Sequence, residues 1–252
     1  MTDDPVVTAA DVACEYGPVS ALTDVSASID PGTVTVVVGP NGGGKSTFLR
    51  TLAGVATPTR GTISYPATDG THAVGYLPQS FRPREDLTVG ETVAYYDALV
   101  GGGPTPDELL DRVGLAAVAD RPAGALSGGM RRLLGVAVAG VGDPDLVVLD
   151  EPTSGLDRTM TRRVFESCAT LADDRCGVVV ATHDLPTVEP VADRALLLDR
   201  GQLQADHRLP LDGATLASVY DGTVDGAADG DTTVRSGRRL DGSAHAPGSE
   251  TA

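Results

Sequence analysis

Lysine is almost missing from this chain. Of its 252 residues one is a lysine, Lys45, against 18 arginines. Positive charge is scarce altogether: 35 acidic residues, 27 of them aspartate, outweigh 19 basic ones and leave a formal net charge of −16. That balance argues against general nucleic-acid binding, which relies on clustered Lys and Arg to neutralise phosphates. It argues equally against docking on an anionic membrane through a basic patch. An aspartate-rich, lysine-poor composition resembles that of proteins from salt-loving microbes, whose charged surfaces keep them soluble. GC-rich codon usage, which also trades Lys for Arg, is the blander explanation. Cysteine is scarce too: Cys14, Cys168 and Cys176 are odd in number and show no C-x-x-C spacing. They suggest neither a disulfide framework nor a zinc site, and read as free buried thiols of a reducing compartment. No basic segment followed by an apolar run opens the sequence, so no signal peptide is expected. The longest mostly apolar run, residues 133–141, is about half the length needed to span a bilayer. There is no internal repeat.

What is present is an alternation of strand and helix patterns in a chain long enough to bury a substantial core. Residues 6–16 and 24–29 read as strands around a turn at Gly17-Pro18, and Pro31-Gly32 turns into a β-branched run at 33–38. A helix is expected to begin at Lys45 and to end near residue 53, with short strands at 62–65 and 73–77. Helical patterns follow at 89–100, 107–113 and 127–139; the second is introduced by Thr105-Pro106-Asp107-Glu108, the order a helix start prefers. The apolar run 146–149 fits a parallel strand covered on both faces. A helix at 158–172, a strand at 177–181 and a hairpin at 194–199 and 202–205, with Gly201 in its turn, complete the pattern. From Gly222 the chain is poor in large apolar residues, and residues 222–252 are expected to be a disordered tail.

Three stretches carry chemistry. Gly39-Pro40-Asn41-Gly42-Gly43-Gly44-Lys45-Ser46-Thr47 fits the G-x-x-x-x-G-K-[ST] phosphate loop, and it lies between a strand and a helix as that motif requires. Its glycines allow successive N–H groups to turn inward as an anion nest, and the helix N-terminus adds partial positive charge. In that pattern Lys45 reaches the β- and γ-phosphates and Ser46 ligates Mg²⁺. Leu146-Val147-Val148-Leu149-Asp150-Glu151-Pro152 is an apolar strand ending in two carboxylates, costly to bury unless they meet a cation such as Mg²⁺ on a nucleotide. Strand alternation would point Asp150 and Glu151 to opposite sides, one to the metal and one to a water. Leu126-Ser127-Gly128-Gly129-Met130 is a capped turn opening a helix, a second anion-binding surface.

In this order and spacing the motifs resemble those of the ATP-binding cassette (ABC) ATPases, over residues 6–205. Residues 39–47 match the family's Walker A loop, and residues 126–130 its signature motif. The resemblance implies that Gln79 is the Q-loop glutamine that senses Mg²⁺, and Asp150 the Walker B metal ligand. It makes Glu151 the general base and His183 the switch histidine. Ser154 to Asp157 match the D-loop, which places Asp157 at the nucleotide, and Tyr16 sits where the family stacks an aromatic on adenine. Ser127, Gly128 and Gly129 would contact the γ-phosphate.

The fold implied is α/β: a P-loop NTPase core with a RecA-like mixed sheet, an N-terminal antiparallel β subdomain and an inserted α-helical signature subdomain. The ATPase domain would cover residues 1–221, with the helical insertion at about 82–140. In this family the signature comes from a second subunit, so a head-to-tail dimer closing on two ATP molecules is implied, C₂-symmetric if a homodimer. Integral membrane permease subunits are the other expected partners, which would hold the protein on the inner face of the cell membrane. Met130 in place of the family's commoner glutamine, followed by Arg131-Arg132, together with Asp86-Leu87-Thr88-Val89, looks like the exporter-type branch, multidrug or copper-delivery-associated. A metal importer stays open. So does a soluble ABC ATPase of translation or DNA repair, though those usually carry two cassettes or a coiled-coil insertion and need positive surfaces. A small-molecule P-loop kinase would lack the signature and Gln79.

Overall fold

The structure, a computed structural model, describes residues 4–66, 73–211 and 214–228. In chain order the elements are strands β1 (Val7–Tyr16), β2 (Val19–Ile29) and β3 (Val34–Val38), helix α1 (Lys45–Leu52), and strands β4 (Arg60–Ser64) and β5 (Val74–Leu77). Helices α2 (Val89–Val100), α3 (Pro106–Arg112) and α4 (Gly128–Ala139) follow, then β6 (Leu146–Asp150), α5 (Arg158–Ala169), β7 (Gly177–Ala181) and the single turn α6 (Leu185–Val188). Strands β8 (Arg194–Asp199) and β9 (Gln202–Arg208) and helix α7 (Leu216–Ala228) complete the chain.

Two sheets form. The larger has the order β5-β6-β7-β3-β8-β9, parallel except for β9, which returns antiparallel to β8. The smaller, β2-β1-β4, is antiparallel. Every residue of β3, β6 and β7 is buried, as near-continuous apolar strands covered on both faces must be. Alternation along β3 sorts the layers: Val34, Val36 and Val38 face the cluster built with the helices, while Val37 joins Phe48, Leu49 and Leu52 of α1 beneath the small sheet. The carboxyl ends of β3, β6 and β7 therefore lie side by side, the usual place for a ligand in an open α/β sheet.

The helices between β5 and β6 start from local chemistry. Thr88 and Glu91 form a capping box at α2, the hydroxyl accepting the Glu91 N–H (3.1 Å) and the carboxylate accepting the Thr88 N–H (2.8 Å). Thr105 and Glu108 repeat it at α3, with Pro106 in the first turn.

Three expectations need correction. β2 begins at Val19 rather than 24, because pairing with β1 continues to the Tyr16–Val19 rung. α5 stops at Ala169, since Leu171 and Ala172 bond three residues back, to Cys168 and Ala169, and tighten the last turn. The third concerns the tail, where α7 runs through Gly222 to Ala228 in a stretch read as disordered. Its start is fixed by reciprocal bonds between Thr215 and Ser218 and by the Glu189 carboxylate, which accepts the Leu216 N–H at 3.0 Å. Leu216 is fully buried, and Val219 and Tyr220 pack on the main core, which offsets the ordering entropy. Residues 229–252, the rest of that expected tail, lie outside the described residues. Cys14, Cys168 and Cys176 are buried and unpaired, and burial pushes the Cys168 and Cys176 thiols up to about 12, which makes them unreactive. No helix among the described residues is long and apolar enough to cross a membrane.

Candidate functional site

The loop from β3 to α1 is shaped by backbone, not side chains. Gly42 (φ 81°) and Gly44 (φ 101°) occupy the left-handed region that other residues avoid. A Cβ on Gly39 would fall 1.9 Å from the Leu198 carbonyl oxygen, so only glycine lets the loop pass β8. Gly44 caps α1 without a side chain, and the first turn of α1 holds no acidic residue, which leaves its N–H groups suited to an anion. Lys45 is 6 % exposed. Its Nζ donates to the carbonyls of Gly39 (2.8 Å) and Pro40 (3.1 Å) and lies 4.0 Å from Glu151 Oε1. Burial pushes the ammonium pKa down; the charges of Glu151 and Asp150 pull it back.

The carboxylates come from the end of β6. Ser46 Oγ donates to Asp150 Oδ1 at 3.0 Å. Burial raises the Asp150 pKa, opposed by that hydrogen bond and by the charges of Arg50 and Lys45. Strand alternation would send Glu151 to the opposite face, but Glu151 leaves β6 at φ 50°, and both carboxylates lie in the field of Lys45. A left-handed glutamate costs about 1–3 kcal/mol and persists because its N–H is bonded to Ala181 O (3.1 Å) and its carboxylate is held twice. The second holder is His183, whose Nδ1 lies 2.9 Å from Glu151 Oε2, with the ring otherwise 64 % exposed.

A cleft of about 350 Å³ is lined by residues 41–47 with Gln79 and Glu151; Asp150 and His183 do not line it and reach it through Ser46 and Glu151. Its remaining wall is Val19, Ser20 and Ala21 of β2, which the sequence reading missed. The available signal was the hairpin: Val19 is the cross-strand partner of Tyr16. Tyr16 itself does not line the cleft; it stands at the strand end, 53 % exposed. Arg50, whose charge acts on Asp150, was missed as well, because nothing in a local pattern marks a helix arginine that reaches a neighbouring strand.

Ser127, Gly128 and Gly129 do not line this cleft. Ser127 and Gly128 are exposed, and Ser127 Oγ accepts the Met130 N–H at 3.3 Å as the cap of α4. Gly129 is buried where α4 crosses α5: a Cβ there would meet Met160 Cγ at 2.2 Å. Gly128 instead lines a second cleft of about 530 Å³ with Gln79, Arg131 and Arg132. Gln79 thus touches both clefts, and its carbonyl accepts a bond from Arg132 Nη1 at 2.6 Å, joining the end of β5 to α4. Asp157 is exposed and caps α5, with Oδ1 accepting the Met160 N–H at 3.0 Å.

Ser46 Oγ and Asp150 Oδ1 form a hard oxygen pair of the kind a small cation such as Mg²⁺ accepts, taking its remaining ligands from phosphate and water. Among the described residues there is no group of three or more His, Cys, Asp or Glu that could hold a metal ion.

Known proteins bear on this geometry. A model of the ABC transporter family matches residues 22–154. The chain is 37 % identical over 223 residues to the phosphonates import ATP-binding protein PhnC 1 of Natronomonas pharaonis, covering 82 % of this chain and 95 % of that protein. It is 35 % identical over 201 residues to the zinc import ATP-binding protein ZnuC of Alcanivorax borkumensis, covering 78 % and 76 %. Among solved structures, one described as the ATP-binding subunit of an ABC transporter superposes with a TM-score of 0.75 at 26 % identity, covering 87 % of this chain and 99 % of that one.

Proposed function

This chain belongs to the ABC transporter family as an ATP-binding, ATP-hydrolysing subunit, and we propose that it drives a membrane permease by closing head-to-tail with a second copy on two ATP molecules. The observation that carries the proposal is the division of the motifs. Lys45, Ser46, Gln79 and Glu151 line one cleft, with Asp150 bonded to Ser46 and His183 to Glu151, while Ser127 and Gly128 stand exposed outside that cleft. A chain with both halves of a site, held apart, is completed by a copy of itself.

In this reading the N–H groups of residues 42–47 and the Lys45 ammonium hold the phosphates, and Ser127 with Gly128 of the second copy meets the γ-phosphate, while Gly129, buried against Met160, sets the helix crossing behind them. Ser46 and Asp150 hold Mg²⁺, which when bound neutralises charge on the phosphate oxygens. Glu151 polarises the attacking water, and His183, 2.9 Å away, fixes its carboxylate. Gln79, touching both clefts, carries the state of one to the other. Tyr16 stacks on the base, and Asp157 faces the dimer contact. Glu151→Gln is the test. It should cut hydrolysis by about 10²–10⁴ and run as a dimer with ATP and a monomer without it on light scattering. An ATP-loaded variant that stays monomeric would remove the dimer.

The permease is proposed to dock on residues 82–140. Support comes from α2, whose Tyr95, Leu99 and Val100 are 50–66 % exposed, an unusual density of large apolar side chains for a water-facing helix. Such docking would place the protein at the inner face of the membrane. The exporter reading drawn from Met130-Arg131-Arg132 gains no support from the relatives, whose names speak of phosphonate and zinc import. Import is therefore the direction we favour. Vesicles carrying the permease, with this subunit and ATP outside, decide it: import extrudes solute from the lumen towards the ATP side, whereas lumenal accumulation means export.

A further inference from the structure

Beyond these roles, we propose that the β8–β9 turn is a positioning element of the phosphate loop, with the Gly201 N–H setting the direction of the Gly44 amide. The Gly201 N–H donates to the Gly43 carbonyl at 3.0 Å. In a planar trans peptide the C=O and the following N–H point in opposite directions. Anchoring Gly43 O on the β8–β9 side therefore turns the Gly44 N–H the other way, towards the cleft that Gly43 and Gly44 line. The brace is itself braced: the Gly201 carbonyl accepts the Thr23 N–H at 2.8 Å, tying the turn to β2 just beyond its cleft-lining residues. Arg200 (φ 47°) and Gly201 (φ 75°) make two successive left-handed residues, the geometry of a tight hairpin turn that holds the N–H in place. No side chain fits between the three segments. A Cβ on Gly201 or on Gly44 would lie 2.7 Å from Ala21 O.

The inference assumes that the loop binds phosphate, and Mg·ADP is the probe. Gly201→Ala should weaken Mg·ADP binding by about tenfold, the scale of one hydrogen bond, while kcat at saturating ATP stays within about twofold, because the reacting groups are untouched. Gly102→Ala supplies the control: it sits at φ 81° with nothing within 4 Å of its Cβ, so it carries the same backbone strain away from the loop. A folded Gly201→Ala protein with unchanged Mg·ADP affinity overturns the proposal, as does an equal loss in Gly102→Ala. If Gly201→Ala does not fold, amide exchange on the wild-type chain decides. Mg·ADP should slow the Gly201 N–H, but not the Gly32 N–H, which makes a 3.0 Å bond to Cys176 O at the other end of β3. Equal effects at both glycines overturn the brace. Failure of the wild-type chain to bind Mg·ADP at all would instead sink the reading of the cleft, and the brace with it.

Discussion

Two glycine-rich turns open helices in this molecule, and they are built in opposite ways. The turn before α1 has no side-chain cap, its lysine is 6 % exposed, and carbonyls of Leu198 and Ala21 lie where any Cβ on Gly39 or Gly44 would go. The turn before α4 is capped by its own Ser127 hydroxyl and leaves Ser127 and Gly128 in solvent. One is packed inside the chain; the other is open to solvent. A short motif therefore does not say which kind it is, because the same glycines serve a buried cradle in one place and an exposed turn in the other.

The comparison breaks most visibly at Lys45. Its Nζ fits among two carbonyls and a carboxylate at 2.8, 3.1 and 4.0 Å. A planar guanidinium is too broad for that cradle. Lys45→Arg should lower ATP hydrolysis by at least about a hundredfold, the effect of losing a preorganised donor, in a steady-state assay. A fully active variant would show that the cradle is looser than its distances. At α4 the matching change is Ser127→Asp, which keeps a good cap but, in the proposed dimer, would set a carboxylate against the γ-phosphate of the other copy. Hydrolysis should fall by roughly ten- to a hundredfold with the melting temperature and the ATP affinity of the monomer unchanged. A loss of monomer affinity would mean that the two turns serve one cleft in one chain.

Gly129 sharpens the contrast from the packing side. Its Cβ would lie 2.2 Å from Met160 Cγ, so Gly129→Ala should cost about 1–3 kcal/mol through overpacking, read by denaturant unfolding. Adding Met160→Ala should recover most of the loss, because the obstructing side chain is then gone. If the double variant is no more stable, the helix crossing does not set the residue at 129.

How much of this was legible beforehand follows from the same distinction. Strands β3, β6 and β7 are marked by continuous apolar runs and α3 by its cap, all local signals, whereas the antiparallel and mixed sheets were implied by the resemblance that the motifs carry. Residues 39–47 were legible for the same reason, being contiguous. The left-handed Glu151 was not, since its φ is held by Ala181 and His183, 30 or more residues away. Nor was Gly201, which reads as an ordinary hairpin glycine until its N–H is seen on Gly43. The helix through Gly222 was hidden because its order comes from Leu216 in the core and from the Glu189 carboxylate, not from the Gly-rich composition around it.

The smallest expected effect lies at Asp157, where cap and contact can be told apart. Its Oδ1 accepts the Met160 N–H at 3.0 Å while the residue stays exposed, so in the single chain it has a helix-capping task and no burial to lose. Asp157→Ala should cost about 1 kcal/mol of stability. Asp157→Asn keeps the cap and should cost almost none, and if capping were the whole role, its ATPase rate would match the wild type. A contact across the closed dimer predicts something else: Asn lowers the rate by about two- to fivefold, the scale of a weakened exposed polar contact, without moving the melting temperature. Equal rates for Asp and Asn would confine residue 157 to the helix it caps, and leave Ser127 and Gly128 as the exposed half of the site.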